Sequence, residues 1–307
     1  MDSYKFSGSY SQYFRHKKPY FQENREISAT FELLKSSILV AFSGALRIHI
    51  AFLLLQIQSN LLTCAAGGLI IYAVYTIDRA LGAEEDSVNR KELNGSKRNV
   101  GLAVSLLTFA AGTYVLAKEG LILLAFVPFI TGYLYSKGIK IGKFALKLKG
   151  GLGVKNTVVG ITWGIFIAGL AGSHCLALLP VLLVFFFFGS KLFINSTIYD
   201  FKDIKGDTLA GIKTLPVSLG ARNTRYLLTS LHLFTHMILG IALIEGFLAF
   251  EPLIILYSFI CGLICIKNYT QVEEEYPHFK QVERTILVDG ESTSIVGLRM
   301  LTNALMA

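Results

Sequence analysis

The run LALLPVLLVFFFFG, residues 176–189, constrains this chain more than any other segment. It is uncharged throughout and too apolar to face water. It is also not alone: the 307 residues are 53% hydrophobic and 16% charged, with a mean hydropathy of +0.54. Soluble domains carry about 25% charged residues. A chain this apolar cannot cover a water-facing surface, so it reads as an all-α polytopic membrane protein. A transmembrane barrel would show short alternating segments, whereas these runs are continuous. At about 20 apolar residues per span, nine helices are expected around a central cavity: 28–47, 52–78, 99–117, 120–137, 154–173, 175–199, 225–245, 252–270 and 287–306. Residues 1–27 have no apolar core and no small-residue cleavage site, and read as a polar N-terminal segment rather than a signal peptide. Residues 28–307 form the transmembrane domain.

Basic residues orient this arrangement. Of the lysines and arginines assigned to the tail and loops, 24 fall on one side and two, Arg47 and Lys118, on the other. By the positive-inside rule the N-terminus and the basic loops face the cytoplasm, and the odd span count puts the C-terminus outside. The net charge of +8 then belongs to these loops, and no nucleic-acid partner is expected. The four cysteines, Cys64, Cys175, Cys261 and Cys265, lie in or beside apolar runs without a CxxC pair, and read as small hydrophobes.

Beyond the opening run comes YDFKDIKGDTLAG, residues 199–211. On a helix Asp203 and Asp207 stand at i and i+4, and Asp200 stands one turn before Asp203, so the three share a face. Three like charges together need a cation. Carboxylate oxygens suit Mg²⁺, which is held by one or two carboxylates and by substrate phosphates. Lys202, Lys205 and Lys213 are placed to hold the remaining phosphate charge as point cations, and Gly206 and Gly211 let the chain leave the helix. A second acidic stretch, DRALGAEEDSVNR, begins at Asp78, about 122 residues earlier. There Asp78 and Asp86 share a face two turns apart, flanked by Arg79 and Arg90. An acidic residue at a membrane helix end marks a functional site by default. The repeat of acidic mouths suggests two four-helix units plus one helix.

At these residues a resemblance enters. DFKDIKGDTLAGIKTLPVSLG, residues 200–220, resembles the second acidic signature of the UbiA superfamily of intramembrane prenyltransferases, D-x-x-D-x-x-x-D followed by Gly, a basic residue and T-L-P-V-x-x-G. Residues 78–90 align without gaps on the first signature, N-D-x-x-D-x-x-x-D-x-x-N-R, through Asp86, Asn89 and Arg90. Asp78 stands where the family usually has Asn, Arg79 where it often has Asp, and Gly82 where it usually has its middle Asp. Either Asp78 or Glu85 supplies the missing carboxylate, or Arg79 contacts phosphate directly.

The resemblance implies Mg²⁺-dependent transfer of a prenyl group from an isoprenyl diphosphate, geranyl to geranylgeranyl or longer, to a hydrophobic aromatic or lipid acceptor within the cell membrane. It implies Asp78, Asp86, Asp200, Asp203 and Asp207 as metal carboxylates. Arg79, Asn89, Arg90, Lys155, Asn195, Lys202, Lys205 and Lys213 are the expected diphosphate contacts, at a mouth facing the cytoplasm. Lys155 follows the basic loop KGIKIGKFALKLKGGLG and otherwise serves only as a positive-inside residue. Tyr133, Tyr135 and Tyr199 read as an interfacial belt. Lys35 either reaches substrate phosphate or snorkels. The spacing of His232 and His236 lacks a third ligand for zinc. Two other functions compete. One is a homologue that binds isoprenoid without catalysis, motivated by Gly82. The other is a transporter, whose sites lie at mid-membrane breaks; charges gathered at helix ends argue against it.

Overall fold

The computed structural model describes residues 26–82, 93–136, 139–141, 144–146, 152–209, 211–272 and 278–306. Helices α1 (Glu26–Leu54), α2 (Leu61–Leu81), α3 (Arg98–Lys118) and α4 (Ile122–Ser136) form the first half. Helices α5 (Val154–Gly172), α6 (Leu178–Leu209), α7 (Leu215–Ile244) and α8 (Pro252–Tyr269) form the second. The chain then runs through α9 (His278–Arg284), a wide π turn (Thr285–Asp289) and α10 (Glu291–Met306). Seven of the described helices are long and apolar enough to cross a membrane; α4 is a shorter apolar helix. Leu123, Ile244 and Leu305 are each about four-fifths exposed, as expected of side chains that face lipid rather than water. The molecule is an all-α integral membrane protein.

Several boundaries differ from the sequence reading, each for a local reason. The first and second spans are separated by a loop, because Asn60 accepts bonds from the Leu62 and Thr63 amides and starts α2 there. Arg47 therefore lies inside α1, not in an outer loop, and is buried. The α6 helix continues through Gly206 to Leu209, and the chain turns at Gly211, whose φ is +68°. The seventh span starts ten residues early, at Leu215, with Pro216 in its first turn and a break at Gly220. Between α4 and α5, in the basic loop, the chain forms a two-stranded antiparallel hairpin, β1 (Ile139–Ile141) and β2 (Phe144–Leu146). Lys35 sits in an exposed i,i+3 pair with Glu32.

Two features position the site. At 32 residues α6 is roughly 48 Å long at 1.5 Å per residue, well beyond an apolar core of about 30 Å. Its last turns, which carry the aspartates, therefore reach the membrane boundary. The second is the approach of α5 to α6. A Cβ at Gly160 would lie 2.7 Å from the Gly189 carbonyl oxygen, so only glycine lets the two backbones touch. That contact brings the first turn of α5 beside residues 196–200 of α6.

Candidate active site

A cavity of about 460 Å³ opens between α1, α2, α4, α5, α6 and the α9–π-turn segment. Asp78 and Arg79 of α2, Lys155 of α5, and Asn195, Asp200, Lys202 and Asp203 of α6 all line it. Residues far apart in sequence thus share one polar chamber. Its apolar part includes Val40, Val74, Pro128, Val159 and Leu192. Tyr75 and Trp163 also line it, with ring centroids 5.6 Å apart and planes 13° from parallel.

The polar groups are held individually. Lys155 donates to one oxygen of Asp200 at 2.6 Å, and Asn156 donates to the other at 2.8 Å. Asp200 is fully buried. Both its oxygens are engaged, which equips it to fix Lys155 in the wall rather than to take a metal. Arg79 donates to the Ser37 hydroxyl at 2.6 Å, and Ser37 also accepts from Thr76 at 2.9 Å. Ser37 can reach them because α1 loosens into a turn at Ser36 and Ser37. Arg79 also lies over the Tyr75 ring, 5.6 Å from its centroid.

The remaining expected residues are placed differently. Asp207 is buried one turn beyond Asp203 and does not line the cavity. Lys205 and Lys213 are exposed and lie outside it. Glu85, Asp86, Asn89 and Arg90 fall outside the described residues. Gly82 closes α2 at φ +55°, and a Cβ there would lie 2.9 to 3.1 Å from the Arg98 guanidinium. The place next to the family's missing carboxylate is thus taken by a cation.

Tyr199 belongs to the cavity wall, not to an interfacial belt, whereas Tyr133 is about half exposed. Three charged lining residues escaped the sequence reading: Arg47, Arg284 and Asp289. Arg47 looked like a loop cation. Asp289 sits in LVDGES at the start of the ninth span, where a charge inside an apolar run was the available signal.

Among the described residues no three His, Cys, Asp or Glu side chains cluster as a complete metal site. Asp78 and Asp203 nonetheless present carboxylates from two helices into one chamber. Mg²⁺ needs only one or two carboxylates when substrate phosphates complete its octahedron. The donor set therefore fits Mg²⁺ bound together with a diphosphate.

A model of the UbiA prenyltransferase family matches residues 59–278. Digeranylgeranylglyceryl phosphate synthase of Sulfolobus acidocaldarius is 31% identical over 168 residues, 52% of this chain and 55% of the relative. The protein of the same name from Sulfurisphaera tokodaii is 31% identical over 175 residues, 53% of this chain and 56% of the relative. The chain thus spans about half the length of the curated relatives it matches. A UbiA homologue from Archaeoglobus fulgidus, solved bound to GPP and Mg²⁺, aligns with a TM-score of 0.59 at 18% identity, covering 88% of this chain and all of that one. A solved structure concerning digeranylgeranylglyceryl phosphate synthase aligns at 0.53 and 19% identity, covering 90% of this chain and 96% of that one.

Proposed function

Because the chain belongs to the UbiA prenyltransferase family, we propose that it transfers a prenyl group from an isoprenyl diphosphate to the hydroxyl of a membrane acceptor, with Mg²⁺. One observation carries this reading: Asp78 and Asp203, on α2 and α6, line the same chamber as Arg79, Lys155 and Lys202. That is the donor set a magnesium diphosphate requires, two hard anionic ligands flanked by cations. By sequence spacing alone, Asp86 and Asp207 are assigned as further carboxylates of the two acidic stretches and Asn89 and Arg90 as diphosphate contacts, while the exposed Lys205 and Lys213 serve as approach residues for the incoming anion. The basic side of the protein, and this mouth with it, faces the cytoplasm.

Bound Mg²⁺ supplies charge neutralisation for the leaving diphosphate. The protein's own groups do the rest. Lys155, fixed by Asp200 and Asn156, and Arg79, fixed by Ser37, keep their charges aimed at the diphosphate without rearranging. The stacked faces of Tyr75 and Trp163 line the chamber, where cationic character develops at the allylic carbon as the C–O bond breaks. The apolar wall takes the prenyl chain and keeps water from the electrophile. The two curated relatives are named for a digeranylgeranylglyceryl phosphate product. With two buried guanidinium groups, Arg47 and Arg284, also lining the chamber, a prenylated glycerol phosphate is the acceptor class this reading favours.

The test is pyrophosphate release by purified protein in lipid nanodiscs, with geranylgeranyl diphosphate as donor and a geranylgeranylated glycerol phosphate or a hydroxybenzoate as acceptor. Release should require Mg²⁺ and stop on adding EDTA. Donor binding without release for any acceptor would leave an isoprenoid-binding homologue. Absence of donor binding would remove the enzyme reading altogether.

A further inference from the structure

The π turn at Thr285–Asp289 is the least ordinary backbone feature of the described residues. It widens the helix by one residue, so that the Gly290 amide bonds to the Thr285 carbonyl at 3.3 Å. A Cβ at Gly290 would stand 2.4 Å from the Ile286 carbonyl oxygen. The turn therefore depends on a glycine at that position. Three neighbouring helices hold it. The Leu287 carbonyl accepts from Cys261 of α8 at 3.6 Å, that of Val288 from Asn195 of α6 at 3.2 Å, and that of Asp289 from Arg47 of α1 at 3.4 Å.

One face of α6 fastens the whole segment. Lys191, Asn195 and Tyr199 follow at steps of four. Lys191 forms a buried ion pair with Glu291 and donates to Ser258 at 2.7 Å. Asn195 takes the Val288 carbonyl, and the Tyr199 hydroxyl donates to Asp289 Oδ2 at 2.5 Å. The result is a carboxylate aimed into the chamber, with Tyr199 on one oxygen. Arg47, Arg79 and Arg284 lie within electrostatic reach of it. Such a placement inside a membrane is expensive. The diphosphate-binding roles above do not use Asp289, and among the described residues its packing contacts engage its carbonyl and one carboxylate oxygen only.

We propose that Asp289 is a catalytic residue that orients the acceptor's hydroxyl and takes its proton as the new bond forms. This rests on the prenyl-transfer reading and names the chemistry at its acceptor end. The acceptor oxygen bonds to the allylic carbon. The carbon–oxygen bond to diphosphate breaks, and its electron pair leaves with the diphosphate. The hydroxyl proton passes to the Asp289 carboxylate. Tyr199, through its hydrogen bond, is a positioning residue for Asp289. The acceptor this arrangement selects carries a neutral hydroxyl, not a nucleophile already ionised.

The experiment compares Asp289→Asn and Tyr199→Phe with the wild type in nanodiscs. The acceptors are a geranylgeranylated glycerol phosphate and its analogue with SH in place of OH, at pH 9. A thiol is several pKa units more acidic than an alcohol and supplies thiolate at this pH without the help of a base. Donor binding is read from quenching of Trp163, the single tryptophan of the chain, which lines the chamber. Asp289→Asn should lower kcat for the hydroxyl acceptor by about 100-fold or more, the scale of general-base loss. It should leave donor affinity within about twofold and thiol transfer within about threefold, since neither step uses the base. Tyr199→Phe, which keeps the carboxylate, should give a smaller loss with the same preference for the thiol; it carries the comparison if Asp289→Asn does not fold. Equal losses for both acceptors, or full hydroxyl transfer by Asp289→Asn in a protein whose wild type is active, would overturn the role of Asp289 alone. A wild type that releases no pyrophosphate would instead overturn the reading beneath it.

Discussion

Asp200 and Asp203 stand one helical turn apart on α6 and have different tasks. Asp200 is fully buried and bonded through both oxygens, to Lys155 and Asn156. Asp203 lines the chamber and is only half-buried. Removing Asp200 deprives a cation of a carboxylate 2.6 Å away, in a wall that is mostly shielded from water, because Lys155 is 14% exposed. Loss of one partner of a buried pair costs about 3 kcal/mol or more. Asp200→Ala should therefore lower the thermal unfolding midpoint in detergent by several degrees, on the order of 4 °C. Asp203→Ala should leave that midpoint nearly unchanged while Mg²⁺-dependent turnover falls by about 100-fold or more. Comparable stability losses in both variants would show that the two carboxylates are not divided in this way. Sequence spacing alone could not separate them. An i,i+3 relation places both on one face but is silent about Lys155 and Asn156, which arrive from a helix forty-five and forty-four positions earlier. Arg47 was invisible for a different reason, since its place inside α1 depends on where Asn60 starts the next helix.

At the scale of elements, the chamber's polar wall depends on how closely α5 and α6 approach. Lys155 reaches Asp200 because Gly160 and Gly189 let the two backbones meet, with no Cβ between them. Gly160→Val would force these helices apart. Overpacking of this kind costs about 1–3 kcal/mol. The larger effect should be on function, because a shift of about 1 Å at the first turn of α5 moves Lys155 off the diphosphate and can cost 100-fold in rate. The expected result is a folded protein with weakened donor quenching of Trp163; unchanged donor affinity would show that the α5–α6 spacing does not set the site. The first eight helices were legible in the sequence as apolar runs, and so were the acidic ends of α2 and α6, whereas the ninth span expected at 287–306 is a π turn and the 16-residue α10, which is not among the apolar spans. The π turn was not legible. Nothing in TILVDGES has a period that separates a wide turn from an ordinary one, and its stability comes from Cys261, Asn195 and Arg47, on three other helices.

For the whole molecule, the remaining question is which way it faces. The sequence assigns most loop lysines and arginines to one side of the bundle, the side of Lys202, Lys205 and Lys213. The opposite side has a reporter already in place. Cys175 lies in the short connection between α5 and α6 and is partly exposed, whereas Cys64, Cys261 and Cys265 are buried within helices. If basic loops face the cytoplasm, Cys175 faces outward. A membrane-impermeant maleimide should then label the protein in intact cells, and Cys175→Ala should abolish the labelling. Labelling of Cys175 only after the membrane is opened would invert the orientation and put the diphosphate mouth outside. An outside mouth would be hard to reconcile with the chemistry, because a doubly charged or more highly charged diphosphate cannot cross an apolar layer unaided. A cytoplasmic mouth needs no such crossing. On the proposed function, the headgroup would enter from water at the ends of α2 and α6, and the prenyl chain would slide into the apolar part of the chamber. Position in the membrane and position of the carboxylates are then one requirement, met by a helix roughly 48 Å long whose last turns stand clear of the bilayer core.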